Sequence, residues 1–166
     1  EEDEVITHTR KLRERAASTR AAWDEKFNAW AEANPERKAL LDRLTARELP
    51  ADWKKDFPTW EPDAKGVATR KASAAAIQAA AAVLPELWGG SADLAGSNNT
   101  LIKDEKSFGP RSISTEMFSA DPYGRNLHFG IREHAMGAVM NGIALHGGTR
   151  VYGGTFLIFS EYLYPA

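Results

Sequence analysis

One acidic residue, Glu133, lies where the sequence changes from a short apolar run to a helical pattern. Residues 127–129 lie between Gly124 and Gly130, and Ala135, Val139 and Ile143 recur at helical spacing. We therefore predict a strand, a tight turn and a helix with Glu133 in its first turn. Ligands of open α/β sheets bind at such transitions, because backbone N–H groups and side chains converge there. Glu133 either binds a ligand or only compensates the helix dipole.

A second candidate group is the pair of cations Arg70 and Lys71. They fall in the first turn of an alanine-rich helix that we predict over residues 69–84, with Thr69 as its N-cap. Cations at this end oppose the helix dipole by about 0.3 to 1 kcal/mol each. A bound phosphate would offset that cost, and a surface arginine paired with an acid explains the pattern equally well.

A third candidate is a polar loop over residues 94–100, which follows a strand predicted over residues 87–93. Its hydroxyl and amide side chains, together with Ser91, could hold a polar ligand or could bond their own backbone. The side chains in question are Ser97, Asn98, Asn99 and Thr100. The stretch matches neither the dinucleotide-binding glycine pattern nor a P-loop, so it does not indicate a nucleotide site.

Aromatic residues crowd the end of a third strand, predicted over residues 151–156 and followed by a helix over residues 159–164. Phe156, Phe159, Tyr162 and Tyr164 are either core residues or the walls of a cleft for a ring-shaped ligand. Residues 102–123 are polar and broken by glycine and proline, and we predict a loop there.

The first part of the chain has a different character. We predict a helix over residues 4–33 with a core-facing stripe of Trp23, Phe27 and Trp30, and a second helix from Pro35 to about Arg47. A proline-containing stretch over residues 48–66 then reads as an ordered connector. The predicted organisation is a helical connector segment over residues 1–65 and an incomplete α/β domain over residues 66–166.

Composition excludes several classes of function. The 166 residues are 43% hydrophobic, carry a net charge of -2 and include no cysteine. These values argue against nucleic-acid binding, disulfides and thiol chemistry, and no apolar run is long enough to span a membrane. The histidines lack the spacing of a helical metal pair, so we predict no metal site in this chain. The lack of cysteine fits a reducing compartment, and we predict a cytoplasmic location. The start at glutamate and the end in mid-pattern predict a piece of a longer protein.

Four motifs taken together resemble the transketolase family. They are Ala-Thr-Arg-Lys at 68–71, Gly-Gly-Ser-Ala-Asp-Leu-Ala-Gly-Ser-Asn at 89–98, Phe-Gly-Ile-Arg-Glu-His-Ala-Met-Gly-Ala at 129–138 and Tyr-Gly-Gly-Thr-Phe-Leu-Ile-Phe-Ser-Glu-Tyr at 152–162. The resemblance implies the first part of a pyrimidine-binding domain, an α/β fold with a parallel sheet flanked by helices and a helical connector in front of it.

The resemblance also implies a cofactor, thiamine diphosphate, and roles for individual residues. Glu133 would be the catalytic group that bonds a ring nitrogen of the cofactor's pyrimidine. The cofactor-binding residues would be Asp93, Leu94, Glu133, Phe156, Phe159 and Tyr162. The residues that hold the substrate phosphate would be Arg70 and Ser97. Mg²⁺ or Ca²⁺ would be held by parts of the enzyme outside this chain.

The activity implied is transfer of a two-carbon ketol unit from a ketose phosphate to an aldose phosphate, in the pentose phosphate pathway and in a homodimer. The chain alone is expected to be inactive, since the remaining segments of the enzyme are missing. Two alternatives stay open. One is a related thiamine diphosphate synthase that condenses pyruvate with a triose phosphate, and the other is a non-catalytic module that binds sugar phosphates.

Overall fold

The computed structural model describes residues 3–166, which form two compact units. The first unit ends at Arg43, and the second runs from Leu44 to Ala166. Helix α1 spans Asp3–Ala33 and helix α2 spans Pro35–Thr45. The break between them falls at Asn34, because the residue before a proline is disfavoured in the helical conformation. The two N-terminal helices are therefore confirmed, with α2 ending two residues before the predicted end.

The aromatic stripe of α1 packs mainly on itself. The Trp23 and Phe27 rings stack at 4.7 Å between centroids, and those of Phe27 and Trp30 lie 5.5 Å apart. The Lys38 ammonium lies 5.8 Å from the Phe27 ring. No residue of α1 is buried within the described part of the chain, and Trp23 remains 50% exposed. The expectation of a core-facing stripe is therefore wrong for the described residues. The three rings contact one another along the exposed surface of the helix.

The second unit is built on a five-stranded sheet in which every pair of neighbouring strands is parallel, in the order β3-β2-β4-β1-β5. Its strands are β1 (Leu87–Ser91), β2 (Ser107–Phe108), β3 (Ala120–Asp121), β4 (Asn126–His128) and β5 (Arg150–Gly154). Its remaining helices are α3 (Thr69–Val83), α4 (Ala95–Asn98), α5 (Glu133–His146) and α6 (Ser160–Leu163). The predicted α/β class with a parallel sheet and flanking helices is confirmed.

Three local predictions differ from the structure. Residues 102–123 contain the short strands β2 and β3. Each has only two residues, which are too few to show the alternation that marks a strand in sequence. The predicted polar loop includes one helical turn, α4. Thr69 is not the N-cap of α3, because it is already the first helical residue. The N-cap is Ala68, and no side chain caps this end of the helix.

Arg125 joins the end of α3 to the sheet. Its guanidinium donates to the carbonyl oxygens of Ala81 at 3.1 Å, Leu84 at 3.0 Å and Leu87 at 3.0 Å, and pairs with Glu105 at 3.0 Å. The last carbonyl groups of a helix have no partner within the helix, and a cation is favoured at that end. Arg125 therefore fixes where α3 ends and β1 begins.

Successive residues of β5 face opposite sides of the sheet, as the pleat requires. Gly153 lies beneath Met136 and Met140 of α5, so a Cβ there would meet both sulfur atoms. Tyr152 points to the other side, where its ring covers Gly89 of the neighbouring β1. Within the described residues, β5 pairs only with β1, so its other edge carries no strand.

Gly90→Ala should lower the free energy of unfolding by about 3 kcal/mol. A Cβ at this position would fall on the Leu127 carbonyl oxygen of β4, which is backbone and cannot move aside without breaking the strand pairing. Chemical denaturation of the protein measures the change.

Gly142→Ala is the matched control for that substitution. Gly142 lies inside α5, and a Cβ there meets nothing within 4 Å. It should raise stability by about 0.5 kcal/mol, because alanine loses less backbone entropy in a helix. Equal effects of the two substitutions would contradict the close β1–β4 contact.

Candidate active site

Glu133 is the first residue of α5, and the turn before it aims it inward. Gly130, with φ +67, turns the chain away from β4, and the Arg132 amide closes the turn on the Gly130 carbonyl at 2.9 Å. A positive φ favours glycine there. The Glu133 side chain is buried, at 8% exposure, and its Oε1 accepts a hydrogen bond from the Thr155 hydroxyl at 3.3 Å. Within residues 3–166 the carboxylate has no ion-pair partner.

Glu133 lines a cleft of about 450 Å³ at the carboxyl end of the sheet, called the glutamate cleft below. Five residues predicted from sequence line it: Asp93, Leu94, Glu133, Phe159 and Tyr162. Its other lining residues are Ala92, Ile131, Arg132 and His134. The rings of Phe159 and Tyr162 meet edge to face, with centroids 6.2 Å apart. A buried carboxylate and an aromatic wall thus share one space.

Two further predicted residues, Arg70 and Phe156, line a second cleft of about 600 Å³, called the arginine cleft. Thr155 also lines the arginine cleft while its hydroxyl reaches Glu133. The Phe156 ring lies nearly parallel to that of Phe159, with centroids 6.5 Å apart. Adjacent parts of residues 155–159 therefore line the two clefts.

Ser97 is the predicted site residue that lines neither the glutamate cleft nor the arginine cleft. It lies exposed on α4 and lines neither cleft, whereas Arg70 is an exposed residue in the first turn of α3. The two residues do not share a cleft in this structure. Their joint role in phosphate binding stays a prediction.

Some side chains of the polar loop bond within the fold and are not left for a ligand. The Asn98 amide donates to the Ser91 hydroxyl at 3.1 Å, so both side chains are used within the fold. Thr100 differs, because its buried hydroxyl oxygen has no hydrogen-bond partner among the described residues and the residue lines the arginine cleft.

Sequence reasoning missed Thr155 and Arg132. Thr155 follows the last residue of β5, and the rule that ligands gather at the carboxyl ends of parallel strands could have found it. Arg132 precedes Glu133 in the chain, and its guanidinium donates to the Phe129 carbonyl at 3.1 Å. It therefore lines the cleft while supporting the turn.

His128, the last residue of β4, has a packing role. The His128 Nε2 lies 2.8 Å from the Ser107 hydroxyl, and the His128 ring packs against Phe118 at 5.2 Å. Among residues 3–166, no three His, Asp or Glu side chains converge to hold a metal ion. No helix in that part of the chain is both long and apolar enough to cross a membrane.

Tyr152 anchors the polar loop to the sheet. Its hydroxyl donates to the Thr100 carbonyl oxygen at 2.5 Å. Burial disfavours the phenolate and raises the pKa of Tyr152 from 10.0 to about 12, against a smaller opposite effect of the Arg125 charge. Because the pKa is higher in the folded protein, the protonated phenol stabilises the fold. This stabilisation is complete below the pKa of the unfolded chain, 10.0, and is lost as the pH rises toward about 12.

Comparison with known proteins gives one consistent result. A family model described as the transketolase pyrimidine-binding domain matches residues 65–166. A transketolase from Mycobacterium leprae is 61% identical over 164 residues, which are 99% of this chain and 24% of that protein. One from Geobacillus stearothermophilus is 46% identical over 165 residues, or 99% of this chain and 23% of that protein.

Solved structures agree with the sequence relatives. A Pichia stipitis transketolase variant crystallised with fructose-6-phosphate superimposes with a TM-score of 0.86 at 37% identity, over 99% of this chain and 24% of that one. A Pichia stipitis transketolase with sedoheptulose-7-phosphate gives a TM-score of 0.79 at 40% identity, over 90% of this chain and 22% of that one. The chain belongs to the transketolase family. It spans about a quarter of the length of these relatives.

Tyr152→Phe should lower the free energy of unfolding by about 1 to 2 kcal/mol near neutral pH, because the buried Thr100 carbonyl loses its donor. The difference from the wild type should shrink as the pH rises above about 10, because the phenol then ionises in the unfolded chain while the folded protein, with a pKa of about 12, keeps its proton. Denaturation at a series of pH values measures both effects.

Tyr164→Phe serves as the control, since Tyr164 is 93% exposed. It should leave stability and its pH dependence unchanged. A Tyr152→Phe variant with the same behaviour would show that the loop is not held by this hydroxyl.

Proposed function

We propose that this chain contributes the pyrimidine side of a thiamine diphosphate site in a transketolase, which transfers a two-carbon ketol unit from a ketose phosphate to an aldose phosphate. The observation that supports this most directly is the buried Glu133 carboxylate facing an aromatic-walled cleft. Family membership favours this reaction over the synthase and over the non-catalytic module. The chain alone is expected to be inactive, because the relatives are about four times as long.

The residues present fit the pyrimidine ring of this cofactor. Oε1 of Glu133 accepts from Thr155, and the other oxygen makes no hydrogen bond within the described chain. That oxygen is available to a ring nitrogen that carries or shares a proton. The Phe159 and Tyr162 rings supply apolar faces for a flat heterocycle, and Asp93 and Leu94 also line the cleft.

Thiamine diphosphate, when bound, supplies the stabilisation of a carbanion that amino-acid side chains cannot provide. The task of Glu133 is to hold a proton against the pyrimidine ring nitrogen. A carboxylate suits this task because it both accepts and donates hydrogen bonds, according to its protonation state. Burial removes competing water, and the Thr155 hydroxyl restricts the orientation of the carboxylate. Aspartate would place the carboxylate one methylene further from the ring.

The substrates we propose are sugar phosphates, the class of compound named with the Pichia structures. Arg70 in the first turn of α3 suits the phosphate, because guanidinium and helix N–H groups both favour an anion there. Ser97 would add a hydroxyl from α4. Phe156, on the arginine cleft, would complete the aromatic wall beside the cofactor.

The proposal extends to the homodimer, the metal ion and the cellular setting of the enzyme. Apolar side chains next to the glutamate cleft are exposed, among them Ile131 at 79%, Leu157 at 87% and Ile158 at 77%, which supports a covered surface in a homodimer. Mg²⁺ or Ca²⁺ would be bound by other parts of the enzyme. The pentose phosphate pathway and the cytoplasm are the proposed setting, and the lack of cysteine suits a reducing compartment.

The proposed domain organisation keeps a helical connector segment over residues 1–65 and the incomplete pyrimidine-binding domain over residues 66–166. The family match, which begins at residue 65, supports this boundary. The compact unit of the structure starts earlier, at Leu44, and so includes the stretch between α2 and α3.

Glu133→Gln in the full-length enzyme should lower kcat by about 100-fold or more, because glutamine cannot exchange a proton with the ring nitrogen. Steady-state ketol transfer at saturating cofactor measures the change. Glu116→Gln, at an exposed acidic residue outside both clefts, should leave kcat unchanged. Near wild-type transfer by the Glu133 variant would favour the non-catalytic alternative.

Arg70→Ala should raise KM about tenfold for a phosphorylated donor, because a charge-assisted contact to the phosphate is lost. KM for an unphosphorylated ketol donor should stay within about twofold, since that donor never makes the contact. Lys71→Ala, one residue along the same turn, is the control and should affect neither donor. Equal losses for both donors would place Arg70 outside the phosphate site.

A further inference from the structure

Ser91 occupies a junction between three segments. It is the last residue of β1 and is 2% exposed. Its hydroxyl donates to the Gly154 carbonyl at 2.7 Å, and accepts from the Leu94 amide at 3.2 Å and from the Asn98 side-chain amide at 3.1 Å. A serine hydroxyl has one donor and two acceptor positions, so this one is fully used.

The partners of Ser91 adjoin the residues that form the glutamate cleft. Gly154 precedes Thr155, whose hydroxyl donates to Glu133. On the other side, Leu94 lines the cleft. One hydroxyl therefore links the segment that orients the carboxylate to the Asp93–Leu94 turn, which also lines the cleft.

The turn after Ser91 needs such a support. Asp93 has a φ of +60, a left-handed conformation that is unfavourable for a residue with a side chain. The Leu94 amide that follows is held by the Ser91 hydroxyl. Without this bond, the turn would have no side-chain acceptor for that amide, and Asp93 could relax to an ordinary conformation.

We propose that Ser91 is a positioning residue for cofactor binding: its hydroxyl fixes the spacing between the Asp93–Leu94 turn and the Thr155–Glu133 contact. This inference rests on the proposed function, because it concerns the same cleft. Ser91 itself does not line the cleft and acts through Leu94 and Gly154. It is therefore distinct from the residues that touch the cofactor.

A matched control exists on a neighbouring part of the sheet. Ser107 is likewise a buried strand serine, at 4% exposure, and its hydroxyl makes a side-chain hydrogen bond with His128. It does not line the glutamate cleft. Ser107→Ala therefore removes a side-chain hydrogen bond from a buried strand serine without touching the proposed support.

The experiment compares Ser91→Ala, Asn98→Ala and Ser107→Ala in the full-length enzyme. Half-saturation by thiamine diphosphate should rise about tenfold for Ser91→Ala and about threefold for Asn98→Ala, and stay within about twofold for Ser107→Ala. kcat at saturating cofactor should change less than half-saturation does. In the cofactor-free protein, the Leu94 amide should exchange with solvent at least about tenfold faster in Ser91→Ala, and not in Ser107→Ala.

Several results would overturn the inference. Equal shifts in half-saturation for the Ser91 and Ser107 variants would make Ser91 an ordinary core residue, as would unchanged Leu94 exchange. If Ser91→Ala fails to fold, Asn98→Ala decides: half-saturation within twofold of the wild type contradicts the proposal.

The inference and the proposed function can fail separately. A Glu133→Gln variant that loses activity, beside a Ser91→Ala variant that binds cofactor normally, leaves the reaction standing and removes only the role of Ser91. A fully active Glu133→Gln variant overturns the proposed role of Glu133, and the exchange rate of the Leu94 amide still tests the structural link.

Discussion

The parallel pairing of β1 with β4 and β5 is the constraint on which the site depends. Because all three strands run in the same direction, the residues that follow them emerge at one edge of the sheet. Asp93 and Leu94 follow β1, Glu133 opens the helix after β4, and Thr155 follows β5. Residues up to about sixty positions apart in sequence meet there because the strands that precede them are hydrogen-bonded neighbours.

This pairing depends in turn on small residues in β1. Its Gly89 accommodates the Tyr152 ring, and its Gly90 accommodates the Leu127 carbonyl. Side chains at these positions would hold the neighbouring strands apart. The glycine pair is thus a condition for the close pairing of β1 with both neighbouring strands.

Sequence reasoning reached the parts of the fold that have a clear period. The strand, turn and helix around Glu133 were predictable because glycine marks the turn and apolar residues recur along α5. Strands β2 and β3 were not, because two residues show no alternation and are strands only through their neighbours. The separation of Arg70 from Ser97 was equally hidden, since it depends on α4 folding as a helical turn that leaves Ser97 at the surface. Likewise, no local pattern shows that Ser91 bonds to Gly154, 63 residues away.

Among residues 3–166 no strand pairs with the outer edge of β5, and this has a practical consequence. A strand whose N–H and C=O groups lack a neighbour on one side is a template for pairing with another chain. Arg150–Gly154 carries a charge only at its first residue, and its last two residues are glycines, so few side chains block the approach. Overproduction of residues 1–166 alone should therefore favour insoluble material.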